Sequence, residues 1–346
     1  MKSRYLLFVT QTYSFSILEP VADVLRTDPE SEFRWTVAGR ARQEGPPDPG
    51  LELSAVMDWN PDFILVPGNV VPYWWPGRKI QVFHGLGEEK KGHYRITGFF
   101  DLYCTPGPHV TRTFLELRKH HPYFLVAETG WPKLDRLHLT DLRPRRKREL
   151  GLDPDQPVIL YAPTFSPKLT SAPDLFPEIQ RLQEKEYQWI IKFHPLMNAD
   201  WIRTYQTLAS SRCVFPSTDD ILPLMEAADI LVTDTSSVAY EFLLLDRPIV
   251  TFRARARQEK GIDISLPEDL EGAITRSLLD PEELASVRRE IREELHPYLD
   301  GASSRRLLDT IRRLQHSGAF TALPKKPANW WRKWQLRRWF RDARPV

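Results

Sequence analysis

The stretch Ala228-Asp-Ile-Leu-Val-Thr-Asp-Thr-Ser-Ser237 decides the fold, because it is typical of a strand that runs through a hydroxyl-rich turn into a helix. Its apolar run Ile230-Leu231-Val232 indicates a buried parallel strand, and apolar residues at helical spacing follow the turn. A helix start presents backbone N–H groups and the positive end of the dipole, both of which favour phosphate. We therefore expect the diphosphate of a nucleotide donor to lie here.

Apolar, β-rich runs recur along the whole chain with helical patterns between them, and they fall into two series. Near-continuous apolar strands alternating with helices are typical of parallel sheets that are covered on both faces. The sequence therefore predicts two Rossmann-like, doubly wound α/β domains, at 1–144 and 145–318, followed by a C-terminal helical tail at 319–346. Ligands of such sheets bind beyond the carboxyl ends of the strands, so we expect the site in a cleft that the two domains face.

Composition indicates a soluble globular protein, since 41% of the 346 residues are apolar and 27% are charged. The two cysteines, Cys104 and Cys213, lie in apolar runs without metal-ligand spacing, which indicates reduced thiols in a reducing compartment. No apolar run approaches the roughly 20 residues of a membrane-spanning helix, and no signal sequence is apparent. We therefore expect a cytoplasmic protein.

The net charge of +2 conceals a basic tail. Residues 325–346 carry eight Lys or Arg against one Asp, together with four of the eleven tryptophans. Indoles favour the headgroup level of a bilayer and cations favour anionic lipid, so the tail predicts attachment to the inner face of the plasma membrane. An interdomain or packing helix that happens to be basic is the alternative. The remainder of the chain is mildly acidic, which argues against a nucleic-acid partner.

Polar residues end several of the predicted strands. His84 ends a strand of the first domain within Phe83-His-Gly85, and His194 ends one of the second within Lys192-Phe-His-Pro195. Thr164 follows the strand that opens the second domain. The order of these residues, together with the Thr235-Ser-Ser237 turn, is more specific than any one of them.

Together, these segments resemble the CDP-glycerol glycerophosphotransferase family, the enzymes that prime and polymerise teichoic-acid-type polyols. The resemblance covers roughly residues 80–315. The segments that carry it are Phe83-His-Gly85 with Lys90-Lys91, Glu128-Thr-Gly-Trp-Pro-Lys-Leu-Asp135, Ile159-Leu-Tyr-Ala-Pro-Thr-Phe165, Lys192-Phe-His-Pro195, the stretch 228–237, and Asp300-Gly-Ala-Ser303. It implies the two-domain GT-B architecture and an inverting-type displacement that uses no bound catalytic metal and no cofactor.

The resemblance also implies roles for individual residues. His84 is the expected general base for the acceptor hydroxyl, and His194 is expected to face the donor diphosphate as CMP leaves. The remaining predicted donor-binding residues are Thr164 and Lys192 for phosphate, Thr235, Ser236 and Ser237 for phosphate oxygens, Pro216 for the nucleobase and Glu241 for the ribose. Asp234 either orients His194, contacts the glycerol or caps the following helix. A helix-surface carboxylate is the alternative for Glu241.

The predicted function is transfer of glycerol-phosphate, or another polyol-phosphate, from a CDP-linked donor to a hydroxyl of a membrane-linked glycan or polymer, with release of CMP. Three departures from the family pattern keep other functions open. Leu86 stands where the family has threonine, and Thr235 stands where it has tyrosine. Residues 253–260 form an arginine-rich segment where the family has acidic and aromatic residues. One alternative is a GT-B sugar-nucleotide glycosyltransferase or a UDP-hexosamine 2-epimerase relative. Another is a non-catalytic, nucleotide-binding, membrane-associated protein.

Overall fold

Two six-stranded parallel sheets organise the chain in a computed structural model, which describes residues 2–87 and 94–342. Lys90 and Lys91 lie outside the described residues. The chain divides into an N-terminal unit, formed by residues 1–136 with 295–346, and a C-terminal unit, formed by residues 137–294. Each unit contains one of the two sheets, so the predicted pair of parallel α/β domains is confirmed.

The sheet of the N-terminal unit has the strand order β2-β1-β3-β4-β5-β6. Its strands are β1 (Ser3–Val9), β2 (Ser31–Val37), β3 (Phe63–Val66), β4 (Arg78–Gln81), β5 (Leu102–Thr105) and β6 (Leu125–Glu128). The helices before residue 137 are α1 (Phe15–Thr27), α2 (Val56–Trp59) and α3 (Pro108–His120). Strands β3 and β5 are buried at every position, which explains their unbroken apolar character.

The sheet of the C-terminal unit has the order β12-β11-β10-β7-β8-β9. Its strands are β7 (Val158–Tyr161), β8 (Gln188–Ile191), β9 (Cys213–Val214), β10 (Ile230–Thr233), β11 (Ile249–Phe252) and β12 (Ile262–Ile264). The helices of this part of the chain are α4 (Arg143–Glu149), α5 (Ala172–Leu182), α6 (Ala199–Gln206), α7 (Leu222–Ala227), α8 (Val238–Phe242), α9 (Leu270–Leu279) and α10 (Ala285–Leu295).

The chain returns to the N-terminal unit at residue 295, and this differs from the predicted boundaries at 144 and 318. The helix α11 (Ser303–His316) is held there by Asp135, whose carboxylate accepts the backbone N–H groups of Ser303 and Ser304 at 2.8 and 2.6 Å. The hydroxyl of Tyr298 also donates to Glu128 at 2.8 Å. The segments 128–135 and 300–303 both carry the family resemblance. Their contacts therefore attach the C-terminal part of the chain, from residue 295 onward, to the first domain.

The tail forms the helix α12 (Trp330–Asp342), which packs on the N-terminal unit. Leu336 and Phe340 are buried, and the Phe340 ring lies 6.1 Å from that of Phe8 and 5.5 Å from that of Trp74. Asn329, before the helix, donates to the carbonyl of Thr97 at 3.0 Å. The predicted C-terminal helix is thus present, with one face packed against the domain. None of the helices in the described ranges has the length and apolar character needed to cross a bilayer.

Candidate functional site

Three neighbouring strands of the C-terminal unit bring most of the predicted residues to one edge. In the register of the sheet, Tyr161 at the end of β7 is opposite Val232 of β10 and Ile191 of β8. Because all three strands are parallel, the segments after them emerge at the same edge of the sheet. The residues at this edge are Thr164 after β7, Lys192 and His194 after β8, and Asp234, Thr235, Ser236 and Ser237 after β10.

The carboxylate of Asp234 braces the loop that follows β7. One of its oxygens accepts the backbone N–H of Thr164 at 2.8 Å, and the other accepts both the N–H and the hydroxyl of Ser171 at 2.8 Å. The side chain is buried, and burial raises its pKa to about 6, against the effect of the hydrogen bonds from Ser171 and Thr164. Sequence reasoning missed this bracing role, because Ser171 lies 63 residues before Asp234.

The hydroxyl turn at residues 235–237 is held between buried elements. Every residue of α8, the helix that follows, is buried, while Thr235, Ser236 and Ser237 are half-buried. Ser237 occupies the N-cap position of α8 without a side-chain hydrogen bond to that helix. The Thr235 hydroxyl oxygen accepts the backbone N–H of Arg255 at 3.3 Å, so its own proton can be donated elsewhere. This turn can therefore present hydroxyl donors to an anion.

At least two contacts orient the imidazole of His194. Its ring packs on that of Phe165, with centroids 4.4 Å apart, and its Nδ1 lies 3.1 Å from the backbone N–H of Leu196. Since this N–H is a donor, Nδ1 acts as the acceptor and a neutral ring carries its proton on Nε2. Nε2 can then donate to a phosphate oxygen.

Lys192 and Pro216 lie near the same edge. Burial lowers the pKa of Lys192, and the negative charge of Asp219 opposes that change. Pro216 follows β9, the strand next to β8, and is half-buried. Asp219 belongs to the loop after Pro216, so this loop approaches the lysine. The contact of Lys192 with phosphate and that of Pro216 with the nucleobase stay predictions.

Glu241 lies in α8 and is 5% exposed. The alternative interpretation of this residue as a helix-surface carboxylate is therefore wrong. Its role in holding a ribose stays a prediction.

His84 belongs to the N-terminal unit, three residues after the end of β4. It is half-buried, and the preceding residue, Phe83, has a φ of +62°. This is the left-handed region, which is rare for a bulky residue and is found where the surrounding structure holds it. The two predicted catalytic histidines are thus divided between the two units.

The arginine-rich segment 253–260 adjoins the hydroxyl turn. The ammonium group of Lys260 is buried, donates to the carbonyls of Ala256 and Arg257 at 2.9 Å and lies 5.7 Å from the ring centre of Tyr240 on α8. These contacts hold the segment in place beside Thr235. In the sequence, this segment stood out because it departs from the family pattern.

Comparison with known proteins identifies relatives of this chain. The family model described as CDP-Glycerol:Poly(glycerophosphate) glycerophosphotransferase matches residues 81–313, more than half of the chain. A teichoic acid glycerol-phosphate primase of Bacillus spizizenii is 27% identical over 186 residues, which are 48% of this chain and 46% of the relative. A primase of the same description from Bacillus subtilis is 30% identical over 180 residues, 45% of this chain and 44% of the relative. The chain thus matches less than half the length of these curated relatives.

Solved structures show the same fold. The wall teichoic acid polymerase TagF aligns with a TM-score of 0.68 at 15% identity, over 89% of this chain and 88% of that chain. A UDP-N-acetylglucosamine 2-epimerase aligns with a TM-score of 0.62 at 18% identity, over 95% of this chain and all of the other. At these identities the likeness concerns the fold, and the predicted GT-B class is confirmed.

Proposed function

This chain belongs to the CDP-Glycerol:Poly(glycerophosphate) glycerophosphotransferase family, and from that premise we propose that it transfers glycerol-phosphate, or another polyol-phosphate, from a CDP-linked donor. The acceptor is a hydroxyl of a membrane-linked glycan or polymer, CMP is released, and the product is a cell-surface polymer. The observation that carries the proposal is the alignment of three strand ends, β7, β8 and β10, which groups an imidazole, an ammonium and three hydroxyls at one edge.

The C-terminal unit supplies the donor contacts. The hydroxyls of Thr235, Ser236 and Ser237 bind oxygens of the diphosphate, and His194 donates from Nε2 to the phosphate that leaves with CMP. Preorganised donors of this kind stabilise charge that develops on the leaving group. Lys192 adds a positive charge, Pro216 contacts the nucleobase and Glu241 the ribose. Asp234 and Thr164 hold the shape of the pocket through the bond between them. One TagF structure was obtained after a soak with CDPG, which supports this class of donor.

The N-terminal unit supplies the base. His84 removes the proton from the acceptor hydroxyl, whose oxygen attacks the phosphorus that bears the glycerol. A new P–O bond forms, the bond between that phosphorus and the bridging oxygen breaks, and the electron pair leaves with CMP. The proton ends on the imidazole, a suitable acceptor near neutral pH.

The proposal is tested by measuring CMP release from CDP-glycerol and a lipid-linked glycan acceptor with the purified chain. We expect His84→Ala and His194→Ala to lower kcat by about 10²–10⁴-fold, the usual contribution of acid–base and charge-stabilising groups. His120→Ala is the matched control, because His120 is exposed at the end of α3, and it should keep full activity. Unchanged turnover in both variants would contradict the assigned roles, and an absence of turnover with every donor would favour a non-catalytic member of the fold.

A sugar-nucleotide donor is the second candidate, because the arginine-rich segment 253–260 adjoins the hydroxyl turn and a 2-epimerase shares the fold. A thermal-shift panel of CDP-glycerol, CMP, UDP and UDP-N-acetylglucosamine separates the two, since a ligand that binds the native state raises its stability. We expect the cytidine compounds to give the larger shift. Stabilisation by uridine compounds alone would reassign the donor.

The tail supports a second part of the proposal, which is attachment to the anionic inner face of the plasma membrane from the cytoplasm. With Leu336 and Phe340 buried, α12 leaves Trp330, Trp331 and Trp334 at 80%, 66% and 51% exposure. The rings of Trp331 and Trp334 stack with centroids 4.9 Å apart. Exposed indoles beside arginines and lysines are suited to the headgroup region of an anionic bilayer.

Sedimentation with vesicles tests this attachment. The chain should pellet with phosphatidylglycerol vesicles and much less with phosphatidylcholine, and added salt should weaken binding because it screens the charges. Replacing both Trp331 and Trp334 by alanine should lower the bound fraction several-fold. Leu279→Ala is the matched control, since Leu279 is 81% exposed on α9. Equal binding of the tryptophan variant and the control would contradict a membrane role for the tail.

A further inference from the structure

The peptide that precedes His84 is held in an unfavourable conformation. Phe83 has a φ of +62°, where its Cβ crowds the following backbone, at a cost of about 1–2 kcal/mol. Its ring is 1% exposed and meets the ring of Phe114 edge-on, with centroids 5.2 Å apart. The local sequence therefore does not dictate this conformation, and contacts from other segments must maintain it.

One such contact is a hydrogen bond from Trp131. Its indole Nε1–H donates to the carbonyl oxygen of Phe83 at 3.2 Å, and Trp131 is 1% exposed. This carbonyl belongs to the peptide that joins Phe83 to His84. Trp131 thus holds the backbone at the point where the imidazole of His84 leaves it.

Trp131 is in turn held by His296. The backbone N–H of Trp131 donates to Nε2 of His296 at 2.9 Å, and His296 is also 1% exposed. An accepting Nε2 requires a neutral imidazole with its proton on Nδ1, and burial, which lowers the pKa of His296 to about 4, keeps the ring neutral at physiological pH. A buried chain of hydrogen bonds therefore runs from the C-terminal segment to the backbone beside His84.

We propose that Trp131, held by His296, is a positioning residue that fixes the Phe83–His84 peptide and so aims the imidazole of His84 at the acceptor hydroxyl. This inference rests on the proposed role of His84. Neither Trp131 nor His296 has a part in the proton transfer itself. A small displacement of a catalytic group lowers turnover steeply, so the indole N–H affects kcat from a distance.

Trp131→Phe is the test, because it removes the N–H donor and keeps most of the ring. The matched control is Trp35→Phe: Trp35 is fully buried in the same unit, and its indole N–H has no hydrogen-bond partner among the residues that the structure describes. We expect Trp131→Phe to lower kcat for CMP release by about ten-fold or more. KM for CDP-glycerol should stay within about two-fold, since the proposed donor contacts lie in the C-terminal unit. Trp35→Phe should leave both constants within about two-fold.

A second readout does not depend on turnover. In proton–nitrogen NMR spectra of the histidine side chains, assigned with His84→Ala, the His84 signals should shift in Trp131→Phe and stay in place in Trp35→Phe. Unchanged His84 signals in Trp131→Phe would overturn the inference, and so would an equal loss of kcat in both tryptophan variants. Full activity of His84→Ala would instead defeat the proposed function, and the NMR comparison would still decide whether Trp131 positions the imidazole.

Discussion

Acidification should destabilise the N-terminal unit through His296. The pKa of this histidine is lowered from 6.5 to about 4, first by burial, and the neighbouring charges of Arg306 and Asp300 lower and raise it respectively. The unfolded chain therefore binds a proton at a pH where the folded chain does not. The contribution of the neutral His296 to the free energy of unfolding is fully present above pH 6.5 and is lost as the pH falls towards 4.

The two pKa values set the size of the effect. Between pH 7 and pH 4.5, their difference corresponds to a loss of about 2.5 kcal/mol in the free energy of unfolding. The comparison is with His296→Gln, whose amide oxygen keeps an acceptor for the N–H of Trp131 but does not titrate. Other ionisable groups act alike in both proteins and cancel in the difference.

The assay is urea unfolding of both proteins at the two pH values, followed by tryptophan fluorescence. The stability advantage of the wild type over His296→Gln should be smaller at pH 4.5 by about 2.5 kcal/mol. A difference that stays constant within about 0.5 kcal/mol would show that His296 titrates normally, and would refute a buried neutral imidazole at this position.

Three further predictions concern other parts of the chain. Asp135→Ala should lower the free energy of unfolding by about 2 kcal/mol, because two N–H groups at the start of α11 lose their acceptor. Urea unfolding measures this, and an unchanged free energy of unfolding would refute the attachment of α11 through Asp135. Phe340→Ala should lower the free energy of unfolding by about 3 kcal/mol and Trp331→Ala by less than about 0.5 kcal/mol, since the Phe340 ring is buried and the Trp331 ring is exposed. Equal losses of stability in thermal unfolding would contradict the packing of α12. The pKa of Asp234 is raised to about 6, so its folded form binds a proton more tightly and its contribution to stability grows as the pH falls. Relative to Asp234→Asn, the wild type should therefore gain about 2 kcal/mol between pH 7 and pH 4.5 in the same urea assay, whereas a relative loss would contradict this prediction.

The two sheets could be predicted because their signal is local. Strands such as β7 and β10 are buried at every position, so each appears in the sequence as a short apolar run between helical patterns. The return of the chain to the first domain at residue 295 could not be found in this way. The contact that returns α11 to the first domain joins Asp135 to Ser303, 168 residues apart, and neither residue differs locally from an ordinary helix cap or turn.

The grouping of the site residues was predictable for a related reason. Thr164, His194 and Ser236 each follow a strand, and adjacent parallel strands bring their ends together. The bracing role of Asp234 and the burial of Glu241 depend on which distant segments pack against them, and spacing along the chain does not contain that information. The left-handed backbone at Phe83 was also missed, because residue types that favour this conformation are absent at that position.

The central claim is that a cytidine diphosphate donor binds at the carboxyl ends of β7, β8 and β10. A crystal structure of the chain soaked with CDP-glycerol tests it most directly. We predict that the diphosphate contacts the hydroxyls of Thr235, Ser236 and Ser237, with Nε2 of His194 within hydrogen-bond distance of a phosphate oxygen. A diphosphate bound at another place on the chain, with this edge of the sheet empty, would contradict the account.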